Sequence, residues 1–239
     1  MSWKEESERD RIIVALDCNA AEAIALGEQL AGHARWVKVG MTLYYACGPA
    51  IIRDLHKLGF KVFLDLKLHD IPHQVQGAAA SIAQAGADLL TVHASGGVDM
   101  MAAAVKGAHK ASVKEGSQDP IICGITVLTS MDQAALESIG IAAEPIEQVK
   151  KLAGLAQEAG LNGVVCSPQE AAAMRDLLGP EACIVTPGVR PQGAALGDQS
   201  RVATPAKAFQ AGASHLVIGR PITQAADPVA AFEDIVASL

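Results

Sequence analysis

Short apolar runs alternate with longer amphipathic stretches along almost the whole chain. The short runs are rich in large and β-branched apolar residues, which favours strands; they cover 12–16, 36–39, 62–66, 89–93, 121–126, 163–166, 184–186 and 216–218. The alanine-rich segments between them repeat apolar residues at helical spacing, over 20–31, 50–58, 75–85, 97–114, 145–159, 168–178 and 203–211. The pattern predicts strands and helices in regular alternation.

Several of the predicted helices end at a glycine just before the next strand, at Gly59, Gly86, Gly160 and Gly212. Glycine is favoured there because it readily adopts the left-handed conformation that ends a helix. Strict alternation with eight strands is typical of a single (β/α)8 TIM barrel, which is the fold we expect. A doubly wound sheet is the alternative, but it typically has five to seven strands and a glycine-rich first turn. Neither G-x-G-x-x-G nor a Walker A sequence is present.

Composition narrows the class of protein. Half of the 239 residues are hydrophobic, and no break in composition divides the chain, so we expect one catalytic domain over 11–239. Residues 1–10 are highly charged and are expected to form a frayed tail rather than a signal peptide. No apolar run is long enough for a membrane span. The net charge of −7, without a Lys/Arg cluster, argues against a nucleic-acid binder.

The five cysteines are widely spaced and form no C-x-x-C pair. They are Cys18, Cys47, Cys123, Cys166 and Cys183. An odd number without motif spacing indicates reduced thiols in a cytoplasmic protein, and a catalytic cysteine is the less favoured alternative.

Ionisable residues cluster where the predicted strands end. Asp65 and Lys67 lie two apart at the end of strand three, so in an extended segment they point to the same face. Asp17 and Lys38 end strands one and two on the side opposite the branched aliphatic residues. Active sites of these barrels lie at the C-terminal ends of the strands, so the four groups are expected to converge at the barrel mouth. A single charge there could equally be a salt bridge at the rim.

The last two strands carry a second signal. Strand seven runs into Pro187, Gly188, Val189 and Arg190, and strand eight ends before Gly219 and Arg220. The loops after these two strands form the recurrent phosphate site of such barrels, and arginine binds phosphate through paired hydrogen bonds. The alternative is that the glycines and prolines here only form turns. We expect a phosphate site, with the loop 188–201 able to close over the ligand.

Histidines offer only a weak case for a metal site. His69 and His73 are four residues apart and His93 lies on the next strand, but Pro72 places the pair at a helix start, where packing and capping roles are common. We therefore expect no metal.

The residues that end strand three match a known family. Asp65, Lys67 and Asp70, in the spacing Asp-x-Lys-x-x-Asp and followed by Ile71 and Pro72, closely resemble orotidine 5′-phosphate decarboxylases of the bacterial type. The match continues in order at Asp17, Lys38, Leu128-Thr129-Ser130, Pro187 to Arg190, Gly197-Asp198-Gln199 and Ile218-Gly219-Arg220. The resemblance therefore covers nearly the whole chain.

That resemblance implies conversion of orotidine 5′-monophosphate to UMP and CO₂ by a homodimer of barrels that uses no cofactor. It makes Lys67 the proton donor to pyrimidine C6, places Asp65 near the substrate carboxylate, and has Asp70 and Ile71 reach the neighbouring active site. Lys38 completes the catalytic set. The residues it implies for substrate binding are Asp17, Lys38, Asp65, Lys67, Leu68, His69, Asp70, Ile71, Pro72, Gln74, Thr129, Ser130, Pro187, Arg190, Gln199, Gly219 and Arg220.

One position departs from the family pattern, and two alternatives stay open. Gln74 stands where the family commonly has threonine, so the contact across the dimer is expected to differ in detail. A Mg²⁺-dependent sugar-phosphate decarboxylase or synthase shares the Asp-x-Lys-x-x-Asp spacing, but those relatives resemble this chain less at strand two, where Lys38 would repel a cation. The third interpretation is a non-catalytic barrel that binds a phosphate ligand.

Overall fold

Eight parallel strands close into a barrel in the computed structural model, which describes residues 3–191 and 203–239. Neighbouring strands pair in chain order, and the first also pairs with the last. The strands are β1 (Ile12–Ala15), β2 (Trp36–Gly40), β3 (Lys61–Leu68), β4 (Leu89–His93), β5 (Ile121–Ile125), β6 (Gly163–Val165), β7 (Cys183–Thr186) and β8 (His215–Ile218). The predicted (β/α)8 barrel is confirmed, and every predicted strand lies within two residues of an observed one.

Helices surround the barrel. Within the described part of the chain they are α1 (Ala20–Leu30), α2 (Met41–Cys47), α3 (Ala50–Lys57), α4 (Pro72–Gln84), α5 (Gly97–Glu115), α6 (Gln133–Ser138), α7 (Pro145–Glu158), α8 (Ala171–Leu178), α9 (Pro205–Gln210), α10 (Arg220–Thr223) and α11 (Pro228–Ala237). All seven predicted helices are present, while α2, α6, α10 and α11 were not predicted. None of the helices described is both long and apolar enough to cross a membrane.

The strands separate two layers of buried side chains. Val14, Val37 and Leu64 point outward and pack under the helices, whereas Ala15 and Phe63 point inward and fill the barrel. Because side chains alternate along a strand, Lys38 and Asp65 also point inward, above the packed interior. The predicted alternation, with aliphatic residues toward the helices and ionisable residues toward the mouth, is confirmed for Lys38 and Asp65, whereas regular alternation does not extend to Lys67, because β3 bulges there.

The N-terminal segment closes the opposite end of the barrel. Residues Trp3–Glu5 and Arg9–Arg11 form short 3-10 turns, and the Glu6 side chain between them is only 4% exposed. Its carboxylate accepts hydrogen bonds from Trp36 Nε1 at 3.3 Å and Lys61 Nζ at 3.1 Å. The expectation of a frayed tail is therefore wrong for residues 3–10, because barrel closure places cationic and N–H partners around this carboxylate.

The side chains of Cys183 and His215 lie inside the barrel next to Glu6 of the N-terminal segment. The buried Cys183 Sγ is 3.7 Å from His215 Nδ1, and His215 Nε2 is 3.8 Å from Glu6 Oε2. The neighbouring Cys123, together with His215 and Arg175, outweighs burial and lowers the pKa of Cys183. Burial acts to lower the pKa of His215, but Cys183 and Glu6 outweigh it and raise that pKa. All five cysteines are free thiols, as predicted.

A glycine allows α4 and α5 to pack closely. A Cβ added at Gly107 on α5 would overlap the backbone carbonyl of Gln76 on α4, which cannot move without displacing the helix. We expect Gly107→Ala to lower the free energy of unfolding by about 2–3 kcal/mol, as overpacking does. Gly154→Ala on α7 is the control, because its added Cβ meets no atom within 4 Å and alanine favours helix. Urea unfolding of both variants measures the difference, and equal stabilities would contradict the close packing.

Candidate active site

A cavity of about 430 Å³ opens at the C-terminal ends of the strands. It is lined by Ala15, Asp17, Lys38, Phe63, Asp65, Lys67, Ile125, Val127, Leu128, Thr129, Val165, Cys166, Pro187, Gly188, Arg190, Val217, Gly219, Arg220, Thr223 and Gln224. Of the predicted site residues, nine line this cavity: Asp17, Lys38, Asp65, Lys67, Thr129, Pro187, Arg190, Gly219 and Arg220. Gln199 and its neighbours Gly197 and Asp198 lie outside the described residues.

Two lysines and two aspartates form a continuous chain of charges along one wall. Lys38 Nζ donates to Asp17 Oδ1 at 2.8 Å and lies 3.9 Å from Asp65 Oδ2. Lys67 Nζ donates to the same Asp65 oxygen at 2.8 Å. The Lys38 and Asp65 side chains are about nine-tenths buried, while Lys67 is 26% exposed toward the cavity. The arrangement holds an ammonium group at a fixed place where a ligand can meet it.

The backbone that carries Lys67 is strained. β3 and β4 are in register at Leu64 and Leu90 and again at Leu68 and Val92, so three residues of β3 oppose the single residue Thr91. Within this bulge Lys67 has φ 53°, the one positive φ at a non-glycine position in the described ranges. The left-handed conformation costs an L-residue about 1–2 kcal/mol, and bulges near active sites commonly redirect a side chain. The bulge directs the Lys67 side chain into the cavity.

Thr91 is a site residue that the sequence did not reveal. Its hydroxyl accepts a hydrogen bond from Lys67 N at 3.0 Å and donates one to Asp65 Oδ1 at 2.9 Å, and the residue is fully buried. The only signal in the sequence was the alternation of side chains along a strand. Leu89, Thr91 and His93 alternate with the outward residues of β4, so the Thr91 hydroxyl points into the barrel. That alternation alone does not reveal the bulge that the hydroxyl bridges.

Two arginines line the same cavity. Arg190, which follows β7, is buried and donates to Val189 O at 2.9 Å, and Arg220 begins α10 after β8. Gly219, between β8 and α10, lies against Ala15: a Cβ built there would be 3.4 Å from the Ala15 Cβ. The described parts of the loops after β7 and β8 thus bring two guanidinium groups to the same cavity, which suits an anionic ligand.

A further group of predicted residues does not line the cavity of its own chain. It consists of Leu68, His69, Asp70, Ile71, Pro72, Gln74 and Ser130. Asp70 is exposed, with Oδ1 accepting from Ile71 N at 2.6 Å, and the apolar Ile71 side chain is 64% exposed. All but Ser130 lie where β3 leads into α4 or at the start of that helix, so this connection projects away from the cavity.

The candidate metal histidines are only partly brought together. The His69 and His93 rings lie 5.3 Å apart between centroids, whereas His73 lies within α4. Burial, His69 and Lys67 lower the pKa of His93, which favours the neutral ring. In the described ranges, no three His, Cys, Asp or Glu side chains form a group that could hold a metal ion.

Comparison with known proteins identifies the family of this chain. The model of the orotidine 5′-phosphate decarboxylase / HUMPS family matches residues 10–235. The chain belongs to this family. It is 52% identical over 230 residues to an orotidine 5′-phosphate decarboxylase of Halorhodospira halophila. The aligned region covers 96% of this chain and 95% of that protein. It is 49% identical to one of Moorella thermoacetica, covering 97% of this chain and 92% of that protein.

Solved structures of the family have the same fold. A crystal structure of orotidine 5′-phosphate decarboxylase from Lactobacillus acidophilus matches with a TM-score of 0.84 and 38% identity, covering 95% of this chain and 98% of that one. One from Pyrococcus horikoshii matches with a TM-score of 0.74 and 28% identity, covering 94% and 96%. The family resemblance that the sequence motifs indicated is confirmed.

Proposed function

We propose that this protein decarboxylates orotidine 5′-monophosphate to UMP and CO₂, the last step of de novo pyrimidine synthesis, without a cofactor. The observation that carries the proposal is the Lys67 ammonium, 2.8 Å from Asp65 and facing a cavity that two arginines also line. The relatives at about 50% identity over nearly the whole chain, which bear the decarboxylase name, support the same reaction.

Lys67 acts where negative charge develops. When the bond between C6 and the carboxylate breaks, its electron pair stays on C6, where no adjacent π-system delocalises it. An ammonium held close to C6 stabilises that charge electrostatically and then donates its proton to C6. CO₂ departs, and the neutral amine of Lys67 regains a proton from solvent.

Asp65 and Lys38 keep this ammonium in position. Asp65 Oδ2 binds Lys67 and faces Lys38 at 3.9 Å, so the Lys67 side chain is placed before substrate arrives. In the proposed complex Asp65 lies near the substrate carboxylate, while Lys38 and Asp17 bind the ribose hydroxyls. Such preorganisation lowers the barrier because the charges need not reorient during the reaction.

The substrate phosphate binds where the loops after β7 and β8 reach the cavity. Arg190, Arg220 and Gly219 hold it in this proposal, together with Gln199, while Thr129 and Ser130 lie by the pyrimidine. Binding energy from a remote phosphate can organise the reacting end of a substrate, so the phosphate contributes to turnover as well as to affinity.

The direct test measures the absorbance change when the protein is incubated with orotidine monophosphate in excess EDTA. We expect full turnover in EDTA, because Lys67 supplies the electrostatic stabilisation. Activity that chelation abolishes and added Mg²⁺ restores would instead support the metal-dependent sugar-phosphate branch of the family. Tight binding of UMP with no turnover would support a binding protein.

We further propose that the enzyme is a cytoplasmic homodimer in which Asp70 and Ile71 complete the neighbour's active site. Both residues are exposed and neither lines the cavity of its own chain, and a large exposed apolar side chain such as Ile71 suits an interface. The free thiols agree with a reducing compartment.

Mixing two inactive variants tests the shared site. After subunit exchange, a Lys67→Ala chain paired with an Asp70→Ala chain forms one wild-type and one doubly altered site. At equal amounts half of the dimers are mixed, so we expect about a quarter of the wild-type activity to return. The matched control mixes Lys67→Ala with Asp65→Ala, which line the same cavity and should recover nothing. No recovery in the first mixture, once exchange is confirmed by mass spectrometry, contradicts the shared site.

A further inference from the structure

Thr91 occupies the one position of β4 that faces the bulge of β3. Asp65, Leu66 and Lys67 bulge out between two in-register pairs, and Thr91 is the only β4 residue opposite them. In a regular parallel ladder successive N–H groups alternate between the two neighbouring strands. Lys61 N donates to Arg35 O on the β2 side, so the N–H of residue 67 would face β2 as well. Here the Thr91 hydroxyl takes that N–H instead, at 3.0 Å.

The direction of the two hydrogen bonds of this hydroxyl is fixed. The Lys67 backbone N–H can only donate, so the Thr91 oxygen accepts from it, and the single hydroxyl proton is left for Asp65 Oδ1 at 2.9 Å. Asp65 then accepts on both oxygens, with Oδ1 bound to Thr91 and Oδ2 bound to Lys67 Nζ. One hydroxyl therefore sets both the rotation of the carboxylate and the strained backbone that aims the lysine.

We propose that Thr91 is a positioning residue that aligns Lys67 and Asp65 for proton transfer. This inference rests on the proposed decarboxylation. Thr91 does not line the cavity and so acts through its two neighbours rather than on substrate. A fully buried hydroxyl that joins a backbone N–H in a left-handed conformation to the carboxylate partner of the same lysine has a specific geometric task, beyond filling space.

Removing the hydroxyl while keeping the shape separates this role from packing. In Thr91→Val the Lys67 N–H and Asp65 Oδ1 each lose a partner, so the bulge and the carboxylate can move. Displacement of a catalytic group by about 1 Å can cost on the order of 100-fold in rate, and we expect kcat to fall roughly 10- to 100-fold. KM and UMP affinity should change less than about threefold, because the phosphate and ribose contacts remain.

Two comparisons decide the result even if one variant is unstable. Thr91→Ser keeps the hydroxyl and should retain kcat within about fivefold of wild type. Thr91→Ala differs from the serine variant only by the missing hydroxyl, and its kcat should fall as far as that of Thr91→Val. Thr126→Val is the matched control, because Thr126 is also buried and its hydroxyl donates to a backbone carbonyl, Val165 O, at 2.8 Å. This control should keep the wild-type kcat.

The measurements are steady-state decarboxylation of orotidine monophosphate, calorimetric titration with UMP, and thermal unfolding of each variant. A wild-type protein without turnover refutes the proposed function itself. With an active wild type, the positioning role is refuted if Thr91→Val retains wild-type kcat, if Thr91→Ser loses as much as Thr91→Ala, or if kcat falls equally in Thr126→Val.

Discussion

Replacing Lys67 with alanine is expected to abolish turnover while the barrel stays folded. The substitution removes the cation that stabilises charge at C6 and also the proton donor. Loss of an electrostatic stabiliser typically costs 10²–10³ in rate and loss of a general acid 10²–10⁴, so we expect kcat to fall by at least about 10⁴-fold. The absorbance assay with orotidine monophosphate measures this loss.

The fold should tolerate the change. Lys67 is part-exposed, alanine keeps the same Cβ in the strained backbone, and Asp65 retains Thr91 and Lys38 as partners. The control is Lys57→Ala, whose side chain is 75% exposed and pairs with Asp54 away from the cavity. Circular dichroism and UMP binding report on folding and on the remaining site. A Lys67→Ala protein that retains more than about a hundredth of wild-type kcat would refute the assigned proton donor.

Much of this barrel could be predicted because its local signals are strong. Strands buried on both faces are apolar throughout, so the eight runs stand out between alanine-rich helices. Alternation along β1, β2 and β3 then places Asp17, Lys38 and Asp65 on the inner face. The short helices α2, α6 and α10 give weaker signals, because four to seven residues span at most about two turns.

Other parts of the site depend on distant residues. No local pattern marks Lys67 for a left-handed conformation, since the bulge is set by the pairing of β3 with β4. The role of Thr91 follows from that bulge and was equally hidden. The N-terminal segment was misjudged for the same reason: a charged sequence resembles a solvated tail until barrel closure brings Trp36, Lys61 and His215 to Glu6.

Glu6→Gln is therefore expected to destabilise the protein strongly although it lies far from the active site. Burial acts to raise the pKa of Glu6, but the nearby His215 and the hydrogen-bonded, positively charged Lys61 outweigh it and lower the pKa from 4.5 to about 2. That shift corresponds to about 3 kcal/mol of stabilisation by the ionised carboxylate. Glutamine has the same size but cannot balance Lys61 and Arg35, and removing one partner from a buried network costs a similar amount.

The pH dependence of this loss separates charge from packing. Because the pKa of Glu6 is depressed in the folded protein, its stabilisation is fully present above pH 4.5 and is lost as the pH falls toward 2. Urea unfolding should show a gap of about 3 kcal/mol in unfolding free energy between wild type and Glu6→Gln at pH 7, narrowing by pH 3.

The control is Glu181→Gln. The exposed Glu181 carboxylate pairs with Lys4 of the same N-terminal segment, and its loss should change the free energy of unfolding by less than about 1 kcal/mol. If both variants lose equally little unfolding free energy at pH 7, the packing of the N-terminal segment does not depend on the Glu6 charge. If the gap persists unchanged at pH 3, packing and not ionisation holds the segment in place.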